Sequence, residues 1–340
     1  MTEPQNQESS PLVLRREQSE QLRIHSHVNS IYFGPNGLRA GWRLLVFFAV
    51  LSVSVLIVGL LRNLSPDRVP IGHIFEVFDP AHVMFGELVG FIGYLLASWV
   101  MALIEGRRIA DYGLPARQTA WIRVCAGAAG GFAAISLLLV ALRLTGTFHF
   151  GAIGLNGAAV WRYGIMWALA FLCVGLQEEF GARGYVLFTL TTGVGFWPAA
   201  LLTSFLFGAV HLMNPGESVI GVTSAGMIGF FFCVLLRKTG DLWAPIGFHA
   251  AWDWGQTYFY GVPDSGLVAP GHLFGAEFAG PRWLTGGSAG PEASVFCLVL
   301  VVVLCVAVGV LFPDANYPNP AAIPDPRRPR EVLPSAIPSS

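Results

Sequence analysis

From Leu44 onward the chain alternates between apolar runs of about twenty residues and shorter polar or glycine-rich breaks. A run of that length spans the ~30 Å hydrocarbon core of a bilayer as a helix. The runs lie near 44–61, 81–104, 124–142, 163–188, 197–213, 218–236, 242–260 and 293–312. They predict an all-α polytopic membrane bundle of about eight transmembrane helices. The fifth run is short and ends at Asn214-Pro215-Gly216, so it is expected to tilt or to stop inside the protein. Composition agrees with the pattern, because 54% of the residues are apolar and only 12% are charged, about half the charge of a soluble domain.

The flanks divide the chain into three parts. Residues 1–40 form a polar segment with no apolar stretch long enough for a signal-peptide core, so no cleaved secretion signal is expected. Residues 41–312 make the transmembrane domain. Residues 313–340 hold eight prolines in 28 positions, a composition expected to stay extended and solvated. Lys and Arg favour cytoplasmic loops. With the N-terminus inside, fourteen of the twenty fall on inner segments (among them Arg39, Arg43, Arg107, Arg108, Arg117, Arg123, Arg237 and Lys238) and five on outer ones (Arg62, Arg68, Arg143, Arg162 and Arg282). An integral protein of the plasma (inner) membrane with both termini cytoplasmic is the expectation.

Charge also excludes a partner class, since a net charge of -1 offers no basic surface for nucleic acid. The five cysteines lie in apolar runs without C-x-x-C spacing and read as small core residues. The outer loop at 261–292 is rich in Gly and Pro but carries Phe274, Phe278 and Trp283, which would let it fold back over the bundle. Within it, Gly286-Gly287-Ser288-Ala289-Gly290 has the spacing of a nucleophile elbow, but no strand precedes it and no helix signal follows.

Ionisable residues inside apolar runs cost at least about 2.5–3.5 kcal/mol each and need a partner or a task. They are Glu87, Glu178, Glu179, Arg183, His211, His249 and Asp253. Helical geometry separates the two adjacent glutamates. Glu179 shares a face with Arg183 one turn later, whereas Glu178 lies about 140° round the helix from it. Glu179 and Arg183 therefore read as a structural pair, and Glu178 as the carboxyl left for proton transfer. A cluster that only locks helices together is the alternative. His211 closes the stretch Phe207-Gly208-Ala209-Val210-His211, and His249 and Asp253 stand four apart on one helix face. Counted at 1.5 Å per residue, Glu178, His211 and His249 fall within roughly 10 Å of depth. Small residues around them leave room for close helix approach or for substrate. Glu87 either adds to this cavity or serves as a snorkelling or interhelical hydrogen-bonding group.

In this order, E-E-x-x-x-R (Glu178, Glu179, Arg183), F-x-x-x-H (Phe207, His211) and H-x-x-x-N/D (His249, Asp253) resemble the CPBP, or Abi, intramembrane endopeptidases. That family includes the type II CAAX prenyl endopeptidases and bacteriocin-processing or immunity proteins. The resemblance covers about residues 160–260. It implies that Glu178 and His211 activate water and that His249 and the residue at 253 stabilise an oxyanion, with Glu179, Arg183 and Phe207 in support. Position 253 departs from the Asn usual in the prenyl endopeptidases. An ionised Asp cannot donate a hydrogen bond to an oxyanion, so Asp253 is protonated, orients His249 or binds metal.

No cofactor is certain from the sequence. Zn2+ would take Glu178, His211, His249 and Asp253 as its ligands, but a metal-free Glu/His mechanism uses the same residues and is preferred. The expected activity is hydrolysis of a peptide bond in a membrane-associated peptide or lipid-modified protein tail, admitted from the inner side of the membrane, with membrane lipid the other partner. A non-catalytic scaffold or immunity-type binder, or a small-solute transporter, is the alternative.

Overall fold

A computed structural model describes residues 31–34, 37–63 and 78–317. Expectations for residues 1–30 and for the tail beyond Tyr317 lie outside these. The fold is an all-α bundle of α1 (Ala40–Asn63), α2 (Pro80–Glu105), α3 (Ala120–Leu144), α4 (Ala158–Arg183), α5 (Tyr185–Val194), α6 (Phe196–Val210), α7 (Val219–Thr239), α8 (Trp243–Trp254) and α9 (Val295–Leu311). Among the described residues six candidate spans are long and apolar enough to cross a membrane, the fourth of them formed by α4 and α5 together. Helices α8 and α9 are shorter, at 12 and 17 residues. Apolar side chains on the outside of the bundle, such as Leu56 and Ile57 on α1 and Val302 and Val306 on α9, are exposed, as expected where lipid is the solvent.

Local chemistry sets several boundaries. Asp79 accepts backbone N–H bonds from Ala81 and His82 ahead of Pro80 at the start of α2. Ser218 and Ser294 cap α7 and α9 in the same way, and Gly106 and Gly240 end α2 and α7 in the left-handed conformation. The run at 163–188 is broken at Gly184, so that α5 turns away as a separate helix. The run at 242–260 is helical only to Trp254 and ends in a π-turn at Gly255–Phe259. As expected from Asn214-Pro215-Gly216, α6 stops early, at Val210, followed by one 3-10 turn.

One end of the bundle gathers Arg43, Arg107, Arg108, Arg117, Arg123, Arg237 and Lys238, at or beside helix ends. There Arg43 grips Glu105 through two nitrogens at 2.8 and 2.7 Å and Thr192 at 3.0 Å, while Tyr185 and Tyr112 also donate to Glu105. The network ties α1, α2 and α5 together. Arg123 pairs at 2.7 Å with Asp241, whose side chain is fully buried. Pro313 and Asn316 bond the end of α7, and Tyr317 is buried in the core. The first residues of the proline-rich tail are thus tied to the end of α7 by hydrogen bonds, although 313–316 remain exposed.

At the other end, the 261–292 segment does fold back. Strand β1 (Phe148–Ile153), just after α3, pairs antiparallel with β2 (Phe274–Phe278) inside that segment. Glu292 accepts the Ser265 backbone N–H at 2.7 Å and a Gln256 amide hydrogen at 3.3 Å, and Thr257 donates to Asp264 at 2.7 Å. The segment forms a strap across the bundle between α8 and α9.

Helices α3 and α8 cross backbone to backbone. A Cβ at Gly127 would lie 2.1 Å from the Ala244 carbonyl oxygen, one at Gly131 2.0 Å from that of Phe248, and one at Gly247 2.1 Å from that of Val124. Gly131→Ala is expected to force the two helices apart and destabilise the fold by about 1–3 kcal/mol. The measurement that checks it is a lowered unfolding midpoint in detergent. Ala129→Leu, which adds bulk on the exposed face of the same helix, is the control expected to unfold with the parent.

Candidate active site

The parallel pair α2 and α4 and the antiparallel pair α4 and α8 bring the ionisable residues together. Gly90 of α2 lies against Gln177 of α4, and Gly175 of α4 lets the Ile246 carbonyl of α8 come within 2.9 Å of where a Cβ would be. Between the helices is a cavity of about 250 Å3. Glu178, His211, His249 and Asp253 all line it, as does Phe207. The rest of the wall is mostly apolar, including Phe171, Val174, Phe232, Phe248 and Trp252.

Beneath the cavity surface, Glu179 and Arg183 have no solvent exposure at all and pair at 3.1 Å. The Arg183 guanidinium is covered by the rings of Phe207, 4.2 Å away, and Phe232, 5.6 Å away, so part of its charge is met by aromatic faces. Among the described residues its Nε and Nη2 find no hydrogen-bond acceptor. The same Glu179 oxygen that holds Arg183 also accepts His249 Nδ1–H at 2.9 Å. His249 stacks on Phe232 and turns Nε2 toward Glu178 and Asp253, at 3.8 and 3.5 Å. Glu178 is the more open carboxylate, with 32% of its side chain exposed.

Spacing offers Asp253 as a residue that could fix the His249 ring, beside the other roles open to it. In the structure Glu179 makes the close bond, from a helix 70 residues earlier, and Asp253 stands at the other ring nitrogen. His211 is fixed separately, donating Nδ1–H to the Phe207 carbonyl at 2.7 Å, which leaves Nε2 as the nitrogen free to act. His211 and Glu178 face the same cavity without a direct hydrogen bond between them.

Glu87 also lines the cavity and, among the described residues, makes no hydrogen bond or ion pair, which removes the interhelical hydrogen-bond alternative. Four further lining residues, Glu217, Asp264, Ser265 and Glu292, carry no sequence signal because they arrive through the fold of the strap and the α6–α7 turn. Ser288, in the elbow-like glycine stretch, is exposed and does not line the cavity.

Among the described residues no three His, Cys, Asp or Glu side chains gather as ligands of one ion. Both histidines give Nδ1 to a neighbour, Phe207 O and Glu179, which leaves Nε2 as the nitrogen a metal ion would take.

Residues 160–255 match the family described as type II CAAX prenyl endopeptidase Rce1-like. The match, to a member description of the CPBP family, covers less than a third of the chain. No curated protein matches the sequence. The Rce1-like segment runs from the start of α4 to the beginning of the π-turn after α8, so it contains the whole of the Glu178, His211, His249 and Asp253 constellation. Glu87 and the strap residues Asp264 and Glu292 lie outside it. The chain is thus an integral membrane protein carrying the segment of a CAAX-type membrane protease family.

The two glutamates should respond differently to substitution. Glu179→Gln leaves buried Arg183 without its carboxylate and is expected to cost about 3–5 kcal/mol, whereas Glu178→Gln is expected to fold as the parent does; urea unfolding of both in micelles checks the contrast. Burial, with Asp253 and Glu292 nearby, raises the Asp264 carboxyl well above the usual carboxylate range. A raised folded-state value means that stability is lost as pH climbs from the unfolded-state value through the folded one. Asp264→Asn keeps an acceptor for Thr257 and removes this titration, so its unfolding midpoint is expected to fall less than the parent's from mildly acidic to mildly alkaline buffer.

Proposed function

We propose that the protein is a metal-independent intramembrane endopeptidase that hydrolyses a peptide bond in a membrane-associated polypeptide. The observation that carries this reading is the convergence of Glu178, His211, His249 and Asp253 on one cavity, with the two imidazoles held in defined orientations by Phe207 and Glu179. The Rce1-like match over the same residues supports it.

In this reading Glu178 is the general base. It has a free carboxylate facing the cavity, whereas Glu179 is consumed by Arg183 and His249. Glu178 takes a proton from water while the water oxygen attacks the scissile carbonyl carbon. His211, with Nδ1–H given to Phe207, accepts from the same water through Nε2 and aligns it. The carbonyl oxygen becomes an oxyanion as its π bond opens. His249 with Nε2 protonated donates to it, and the bond to Glu179 keeps that ring in place. Asp253 acts on the His249 Nε2 proton rather than on the oxyanion. When the tetrahedral carbon collapses, the C–N bond breaks and Glu178 returns its proton to the leaving amine. The apolar wall strengthens each of these interactions by keeping bulk water away.

Purified protein in detergent is expected to cleave members of a quenched peptide library. Glu178→Gln and His249→Ala are each expected to lower the rate by about 10²–10⁴-fold, and a zinc chelator to leave the parent rate unchanged. Retained cleavage in Glu178→Gln would remove the proposed base. Loss with chelator would replace this mechanism with a metal-dependent one.

A further inference from the structure

The cavity is closed toward one end of the bundle and runs toward the other. Glu178 is its deepest polar residue on α4. Beyond it the interior is filled by one continuous packed cluster that includes Phe180, Tyr185, Phe188, Leu236, Leu242 and Ile246, all buried. Tyr185 opens α5 just past the end of α4, and the Arg43, Glu105 and Tyr112 network seals the end behind it. In the other direction the cavity wall continues to His82 at the start of α2, to Glu217 just before α7, and to Asp264, Ser265 and Glu292 of the strap.

Charge is distributed against this axis. The sealed end carries Arg43, Arg107, Arg108, Arg117, Arg123, Arg237 and Lys238, whereas the helix ends and strap around the open side carry Arg62, Arg143, Arg162 and Arg282 among the described residues. Short, Lys- and Arg-rich connections stay in the cytoplasm during insertion. All the connections at the sealed end are short, so the rule applies to them with full weight. The sealed end is then cytoplasmic and the open side is not.

We propose that the cavity opens to the non-cytoplasmic face of the membrane, beneath the 261–292 strap, and that its substrates are polypeptide segments presented on that face, such as the exposed juxtamembrane part of an anchored or exported protein. Rce1-like chemistry at this site, as proposed above, would act on such a segment rather than on a cytoplasmic tail. This reverses the inner-side entry expected from the sequence, which conveys the depth of the residues but not the side on which the cavity closes.

The test is cysteine accessibility in intact bacterial spheroplasts, using the full chain with Cys125 replaced by Ala and a membrane-impermeant maleimide. Three positions are compared: Glu277→Cys on exposed β2, Ser265→Cys in the cavity wall, and Arg108→Cys at the sealed end. Labelling of the first two without permeabilisation, and of Arg108→Cys only after it, is the expected result. The reverse pattern overturns the proposal, and so does a Ser265→Cys that stays unlabelled while Glu277→Cys reacts. A second arm supplies an impermeant cleavable peptide to sealed vesicles of the two orientations, sorted by these labels. Cleavage only where Glu277→Cys faces the added peptide is expected. Labelling does not depend on turnover, so a Glu178→Gln protein gives the same pattern. If the endopeptidase reading fails, cleavage is absent in both vesicle types while the labelling result stands on its own.

Discussion

Arg183 has no exposed surface and sits among apolar helices, where an uncompensated charge is too costly to keep. Glu179 on the same helix, one turn earlier, provides the countercharge, and Phe207 and Phe232 cover the remaining faces of the guanidinium. Once ionised in this way, Glu179 has lone pairs to offer, and His249 of α8 occupies one. The need to neutralise one buried arginine thus fixes three things together: the register of α4 against α8, the placement of Phe207 on α6, and the orientation of the imidazole that faces the cavity. A buried ion pair and the cavity-facing ring share one carboxylate oxygen, so neither is adjustable alone.

Small residues make that arrangement sterically attainable. Gly175 admits the α8 backbone to α4, and Gly127, Gly131 and Gly247 bring α3 and α8 closer than any side chain would allow. In a lipid-facing bundle there is little hydrophobic gain from helix association, and close backbone contact is a main source of attraction. Helix α8 spans only twelve residues and is held from two sides by such contacts. It delivers His249 and Asp253 to the interior without crossing the full bundle.

Much of this is readable from the chain because membranes make polar residues conspicuous. The apolar runs locate the helices, and the few ionisable residues within them include those lining the cavity deep in the bundle. Helical periodicity alone separates Glu178 from Glu179. What stays hidden depends on distance along the chain. No spacing encodes a bond between Glu179 and His249, or the arrival of Asp264 and Glu292 from the strap. Breaks within an apolar run are also invisible, since Gly184 and Gly255 look no different from glycines that remain inside helices. The glycine-rich 261–292 segment shows its tendency to fold back only through residues such as Phe274 and Phe278, whose pairing partner, β1, lies more than a hundred residues earlier.

The strap is continuous with α8 at one end and α9 at the other, and its hydrogen bonds from Gln256 and Thr257 start on the π-turn that directly follows α8. The π-turn follows His249 by about two turns of the same segment. The piece of chain that anchors the strap is therefore the piece that carries the cavity-facing imidazole. In the reading proposed above, a polypeptide entering beneath the strap would meet those anchoring bonds before it met the ring, so that cover and site answer to one stretch of backbone.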